Sequence, residues 1–135
     1  MYTDLAELVT SAINHIGRED VFNNSKIDNH SAITISFHEL PDVNIFVVDE
    51  MPMIWAIIEK ADDVNFKLNS DALLSYIMDS STPYFHFGQP ALLKINDNIE
   101  LRAAFTPLSL QDGESMSIAI NIFVSFMNDV IKLYK

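Results

Sequence analysis

The segment "DGESMSIAINIFVSFMNDVIKLYK", residues 112–135, constrains the fold more than any other. At helical spacing Met116, Ala119, Ile120, Phe123, Phe126, Met127, Val130, Ile131 and Tyr134 form one broad stripe, with Ile118, Ile122 and Leu133 off its centre. A helix with so wide an apolar face is buried over much of its girth, against a sheet or a second subunit. Lys132 and Lys135 suit the negative end of its dipole. The remaining chain must therefore supply a matching apolar surface.

It does so by changing period. In "TDLAELVTSAINHIG", Leu5, Leu8, Val9, Ala12, Ile13 and Ile16 fall on one helical stripe, with Thr3 as the expected N-cap and Gly17 at the C-terminal stop. Asp4 and Glu7 lie near the positive end of that dipole. Residues 18–30 are polar and read as a loop. In "SAITISF", Ile33, Ile35 and Phe37 alternate with Thr34 and Ser36, the period of a half-buried strand. "HELPD" reads as a turn containing Pro41, and "VNIFVVDE" and "MIWAII" as two further strands separated by Glu50-Met51-Pro52. "NSDALLSYIMDSS" returns to helical spacing, with Leu73, Leu74, Ile77 and Met78 on one side and Asn69 or Ser70 as cap. "ALLKIN" and "IELRAAF" read as a hairpin turning at Asp97-Asn98. The order is α-β-β-β-α-β-β-α: an α+β domain with an antiparallel sheet of about five strands and three helices.

Size and composition limit what such a fold can be. The 135 residues fit one domain, 1–135. A domain near this size buries roughly 68% of the surface its unfolded chain exposes. With 49% apolar and 20% charged residues, disorder is excluded as a general description. The absence of cysteine removes disulfides, thiolate nucleophiles and thiolate metal ligands. A formal charge of −11 disfavours nucleic acid as a partner. The N-terminus has the wrong charge order for a secretory signal, and no apolar run approaches the ~18 residues of a membrane span. A cytoplasmic protein with no membrane insertion is expected.

Candidate chemistry is sparse. Asp28, His30 and Ser31 are the residue types of a nucleophilic triad. Triad side chains must converge, however, and neighbours in extended chain diverge, so a strand-opening turn is the simpler explanation. A small hydrolase built on His30 is the weakest alternative. His15, His30, His38 and His86 lack the paired spacing of a zinc motif, and His38-Glu39 is a dipeptide in a turn. No catalytic residue, metal ligand or cofactor site is assigned. Trp55 reads as core or subunit interface. The run Tyr84-Phe85-His86-Phe87 reads as a covered strand or a partner contact.

"IDNHSAITIS", followed by "LPDVNIFVV" and "MIWA", resembles the multi-cargo class of type III secretion chaperones, class IB, which serves invasion-type injection systems. "LAELVTSAI" and "DGESMSIAINIFVSFM" match that family in order and spacing. The likeness covers nearly the whole chain and is weakest from Glu59 to Gly88. It implies a small acidic homodimer of α+β fold that is not an enzyme. Such a chaperone binds a segment near the N-terminus of a secreted effector and holds it extended. It then presents the complex to the apparatus, whose ATPase removes the chaperone. The family carries no catalytic residue to transfer, so contacts come from pattern. Leu5, Leu8, Val9, Ile33 and Ile35 are expected to bind cargo. Trp55, Leu73, Leu74, Ile77 and Met78 are expected at the dimer interface. Each set competes with plain burial in the core. An intracellular interaction adaptor without a secretion role is the alternative from another class.

Overall fold

A computed structural model describes residues 5–16 and 33–134. Helix α1 (Leu5–Ile16) precedes strands β1 (Ile33–Phe37), β2 (Leu40–Val48) and β3 (Met51–Lys60). Helix α2 (Asp63–Asp79), strands β4 (Ala91–Ile95) and β5 (Asn98–Ala104), and helix α3 (Gly113–Tyr134) complete the chain. The five strands form one antiparallel sheet in the order β1-β2-β3-β5-β4. The expected α+β class and element order are therefore observed.

Alternation decides how the sheet is used. Ile33, Ile35, Val43, Ile45, Ile54, Ala56, Leu101 and Ala103 are buried on its inner face. Against them pack Leu5, Val9, Ala12 and Ile13 of α1 and Met116, Ala119, Ile120, Phe123 and Met127 of α3. At ~25 cal/mol per Å² of apolar surface, this layer is the main source of stability. Helices α1 and α3 approach so closely that a Cβ on Gly113 would collide with the Ser11 side chain, so glycine is the residue that fits there. Asp112 caps α3 by accepting from the Ser115 N–H at 2.8 Å. The hydrogen bonds from Ser115 hold the Asp112 carboxyl below the usual carboxylate range. By length and composition α3 could cross a membrane, which corrects the expectation that no segment approaches that length. Ten of its residues are buried in the protein, as in any core helix of a globular fold.

Other boundaries move for identifiable reasons. The β2–β3 turn is Asp49-Glu50, both at positive φ, so Met51 and Pro52 belong to β3 and do not form the turn. The β4–β5 turn is Asn96-Asp97, also both at positive φ, one residue earlier than expected. Two successive left-handed residues match the twist of a tight hairpin, and Asn and Asp tolerate that conformation. Leu40 and Pro41 lie in β2, where the β3 ladder has not yet begun and proline costs no bond to it. Helix α2 begins at Asp63, well before Asn69 and Ser70, which are interior. Its cap is Asp62, whose Oδ1 accepts from Val64 N–H at 3.0 Å and Asn65 N–H at 3.2 Å. Thr3 and Gly17, the expected ends of α1, lie outside the described residues.

Candidate functional site

Two surfaces remain apolar after the core is built. The first is the outer face of the sheet. Register places Phe46 beside Met53, Val48 beside Met51, Trp55 beside Arg102, and Ile57 beside Glu100, with Leu93 next to Glu100 on the far side. Among the described residues, Phe46, Met53, Trp55 and Ile57 of this face lie outside the buried core that the helices cover. An antiparallel sheet with one wet face alternates apolar-in with polar-out. Here the outward set is itself mostly apolar. Phe46 and Trp55 meet edge to face, with centroids 6.0 Å apart.

The polar residues of this face are turned on one another. Thr34 Oγ1 donates to Asn44 Oδ1 at 2.9 Å. Arg102 approaches Glu100 at 2.5 Å, and the Glu100 residue is only 6% exposed. Glu100 Oε2 is thus paired with the guanidinium through Arg102 Nη2, whereas Arg102 Nε and Trp55 Nε1 are buried without a hydrogen-bond partner. Buried polar atoms in native proteins are normally paired, so two unpaired donors side by side are unusual.

The second surface is the outer side of α2. Leu73 is buried, and Tyr76 packs on Phe126 with centroids 5.1 Å apart while its hydroxyl donates to Asp129 at 2.7 Å. Burial, then the Asp129 hydrogen bond and the charge behind it, push the Tyr76 phenol up to about 12. Val64, Leu68, Leu74 and Met78 point away from the Leu73 side and are exposed, and Phe66, on the Leu73 side but nearer the start of the helix, is 48% exposed. Beside it, a groove of about 360 Å³ lies between the start of α2 and β4, lined by Phe66, Leu92, Leu93 and Ile99. The Asp63–Lys94 ion pair at 3.3 Å bounds it. Strands β1 and β4 stand at the two ends of the sheet order, so each has one edge that pairs with no other described strand.

The expected site residues fall in different places. Leu5, Val9, Ile33 and Ile35 are buried in the protomer's own core and present no surface to a cargo; Leu8 of the same set is half-buried. The apolar period that marked them is the period of packing, and packing is what it specifies here. Of the expected interface residues, Leu74 and Met78 are 59% and 71% exposed, Ile77 is half-buried and Leu73 is buried. Trp55 is half-buried on the outer sheet face, whereas α2 packs on α3, so the set divides between two surfaces. In the aromatic run, Phe85 is core, packing on Phe105 and Phe123, while Phe87 is fully exposed at positive φ. Asp28, His30 and Ser31 lie outside the described residues. Among the described residues, no three His, Cys, Asp or Glu side chains stand together as a metal site would require. Met53, Ile57 and Glu100 were not among the expected site residues; strand register, invisible in a single strand's alternation, brings them together on the outer face.

The fold is an α+β domain that buries one face of its sheet and leaves apolar side chains on two other surfaces. Residues 17–96 match the family model described as the invasion protein B family. The chain is 33% identical over 129 residues to the surface presentation of antigens protein SpaK of Salmonella typhimurium, covering 93% of this chain and 92% of that one. The SpaK protein of Salmonella typhi matches equally. This chain belongs to the invasion protein B family. The structure is also similar to that of YbjN from E. coli, described as a putative transcription regulator. There the TM-score is 0.57 at 15% identity, with 93% of this chain and 87% of that one covered, a likeness of fold alone.

Proposed function

We infer that this protein is a non-enzymatic type III secretion chaperone of the bacterial cytoplasm. In this role it binds the N-terminal region of one or more effectors, keeps that region extended, and presents it to the secretion apparatus and its ATPase. The observation that carries this reading is the pairing of family membership with a domain whose sheet is apolar on both faces. One face builds the protomer, and the other carries apolar side chains that lie outside the described core.

The physical problem for such a chaperone is to hold an unfolded segment without demanding one sequence. Ordering a segment on binding costs roughly 2–5 kcal/mol. Open strand edges offset this with main-chain hydrogen bonds that ignore side-chain identity. Apolar faces add ~25 cal/mol per Å² buried. Cargo contact is assigned to Leu8 on α1, the outer edge of β4 and the outer sheet face. The protein acts as a homodimer through α2, where Leu74 and Met78 are the exposed members of the stripe.

The test is to purify the tagged protein from cells carrying an active type III system and identify what accompanies it. Secreted proteins should be enriched, and each should lose its association when its N-terminal region is deleted. Enrichment of non-secreted proteins alone would favour an adaptor and defeat the chaperone reading.

A further inference from the structure

We propose that Phe87 and the cavity beside its loop are two halves of a reciprocal contact, in which Phe87 of each copy enters the cavity of a second copy of this chain. The inference rests on the homodimer reading and adds to it a contact beyond the C-terminal end of α2.

Phe87 is fully exposed and has a φ of 63°, a left-handed conformation that a bulky side chain rarely adopts. Both features cost free energy in an isolated protomer. Neither comes from a slack loop. The Gly88 N–H donates to the Phe85 carbonyl at 3.1 Å, and the Gly88 carbonyl accepts from the Thr82 N–H at 2.8 Å. Phe85 is core, and the Thr106 hydroxyl donates to the Pro83 carbonyl at 2.7 Å. The ring is thus displayed on a pinned backbone, and an anchor already held in place loses little freedom on binding.

A cavity of about 390 Å³ lies between the end of α2, this same loop and α3, with room for a phenyl ring. Ile118, Ile122, Phe126 and Pro90 give it apolar walls, and Ser81 and Ser125 are among its polar lining. Phe87 does not line it, so the ring leaves it unfilled in its own chain. Projection and cavity share one loop. A two-fold axis beside that loop brings both pairs together at once, the self-complementarity that a closed dimer requires.

Charge selects the occupant. Apart from Tyr76, every residue lining the cavity falls in the two longest uncharged runs of the chain, 80–93 and 115–128. A second copy carries the same charge of −11 and is repelled where acidic surfaces face one another, least of all here. A basic partner would instead be drawn to the acidic surface elsewhere.

Sedimentation of the full chain over a range of concentrations gives the dimer dissociation constant. Phe87→Gly should raise it about tenfold or more. Circular dichroism should be unchanged, because glycine takes a positive φ without strain. Ser125 lines the cavity and is exposed, so Ser125→Trp should fill the cavity, spare the core and weaken the dimer similarly. An equimolar mixture of the two variants should associate more tightly than either alone. The Ser125→Trp copy still offers Phe87, and the Phe87→Gly copy still has an open cavity to receive it. The contact is overturned if the mixture is no tighter than the separate variants. It is also overturned if both variants dimerise normally but lose a co-purified effector, since the cavity would then take cargo. A wild type that is monomeric at every concentration removes the homodimer reading and the contact with it. A dimeric wild type whose dissociation constant is unmoved by Phe87→Gly removes the contact alone.

Discussion

Tyr76 shows how a single residue here ties two helices together and makes the tie sensitive to pH. Its hydroxyl donates to Asp129, and burial with that hydrogen bond pushes its pKa up to about 12. The folded protein therefore keeps the phenolic proton over a range where the unfolded chain has released it. Stability from this contact is complete below the unfolded value near 10 and is lost as pH rises through about 12. Urea midpoints of the wild type should exceed those of Tyr76→Phe near neutral pH, and the gap should narrow at about pH 11. A constant gap would mean that the phenol titrates alike in both states. Residues such as Leu5, Val9, Ile33 and Ile35 mark what sequence conveys at this scale. Their period showed that they face something apolar. It could not say whether that something is the protomer's own core or a cargo, because both demand the same side chains.

Among the elements, α1, β1, β5 and α3 were legible because each has one apolar face and a clear period. Helix α2 was legible only in its second half. Val64, Phe66 and Leu68 are apolar residues on exposed positions, so its first turns carry no core stripe for a periodicity argument to find. The local signal that does mark its start is Asp62, an acid placed to cap two backbone N–H groups. Asp62→Ala should lower unfolding free energy by about 1 kcal/mol in urea denaturation. Ser70→Ala should change it little, because Ser70 lies inside the helix and its hydroxyl donates only to the Lys67 carbonyl. The opposite ranking would restore a helix starting at Ser70. The hairpins were misplaced by a residue or two because the decisive signal is paired left-handed φ, carried here by Asp49-Glu50 and Asn96-Asp97 and not by the usual glycine.

For the whole molecule, the question is what the apolar side chains on two of its surfaces do in a chain of 135 residues. Its charge of −11 supplies repulsion between copies, which opposes indiscriminate association but not a specific contact. The exposed side of α2 is the surface best suited to such a contact. It is a regular helix face whose inner side is fixed on α3 by Leu73 and Tyr76, so it can dock without rearranging. Anything that binds the folded state alone stabilises it by mass action, and a second copy does so in proportion to concentration. Tm should therefore rise with protein concentration for the wild type, and sedimentation should give twice the 15.3 kDa protomer mass. Leu74→Asp with Met78→Asp places two charges where both side chains are already exposed, so the protomer should still fold. The double variant should sediment as a monomer, and its Tm should no longer depend on concentration. A wild type that is monomeric with a concentration-independent Tm would remove the dimer. A double variant that remains dimeric would move the interface away from α2.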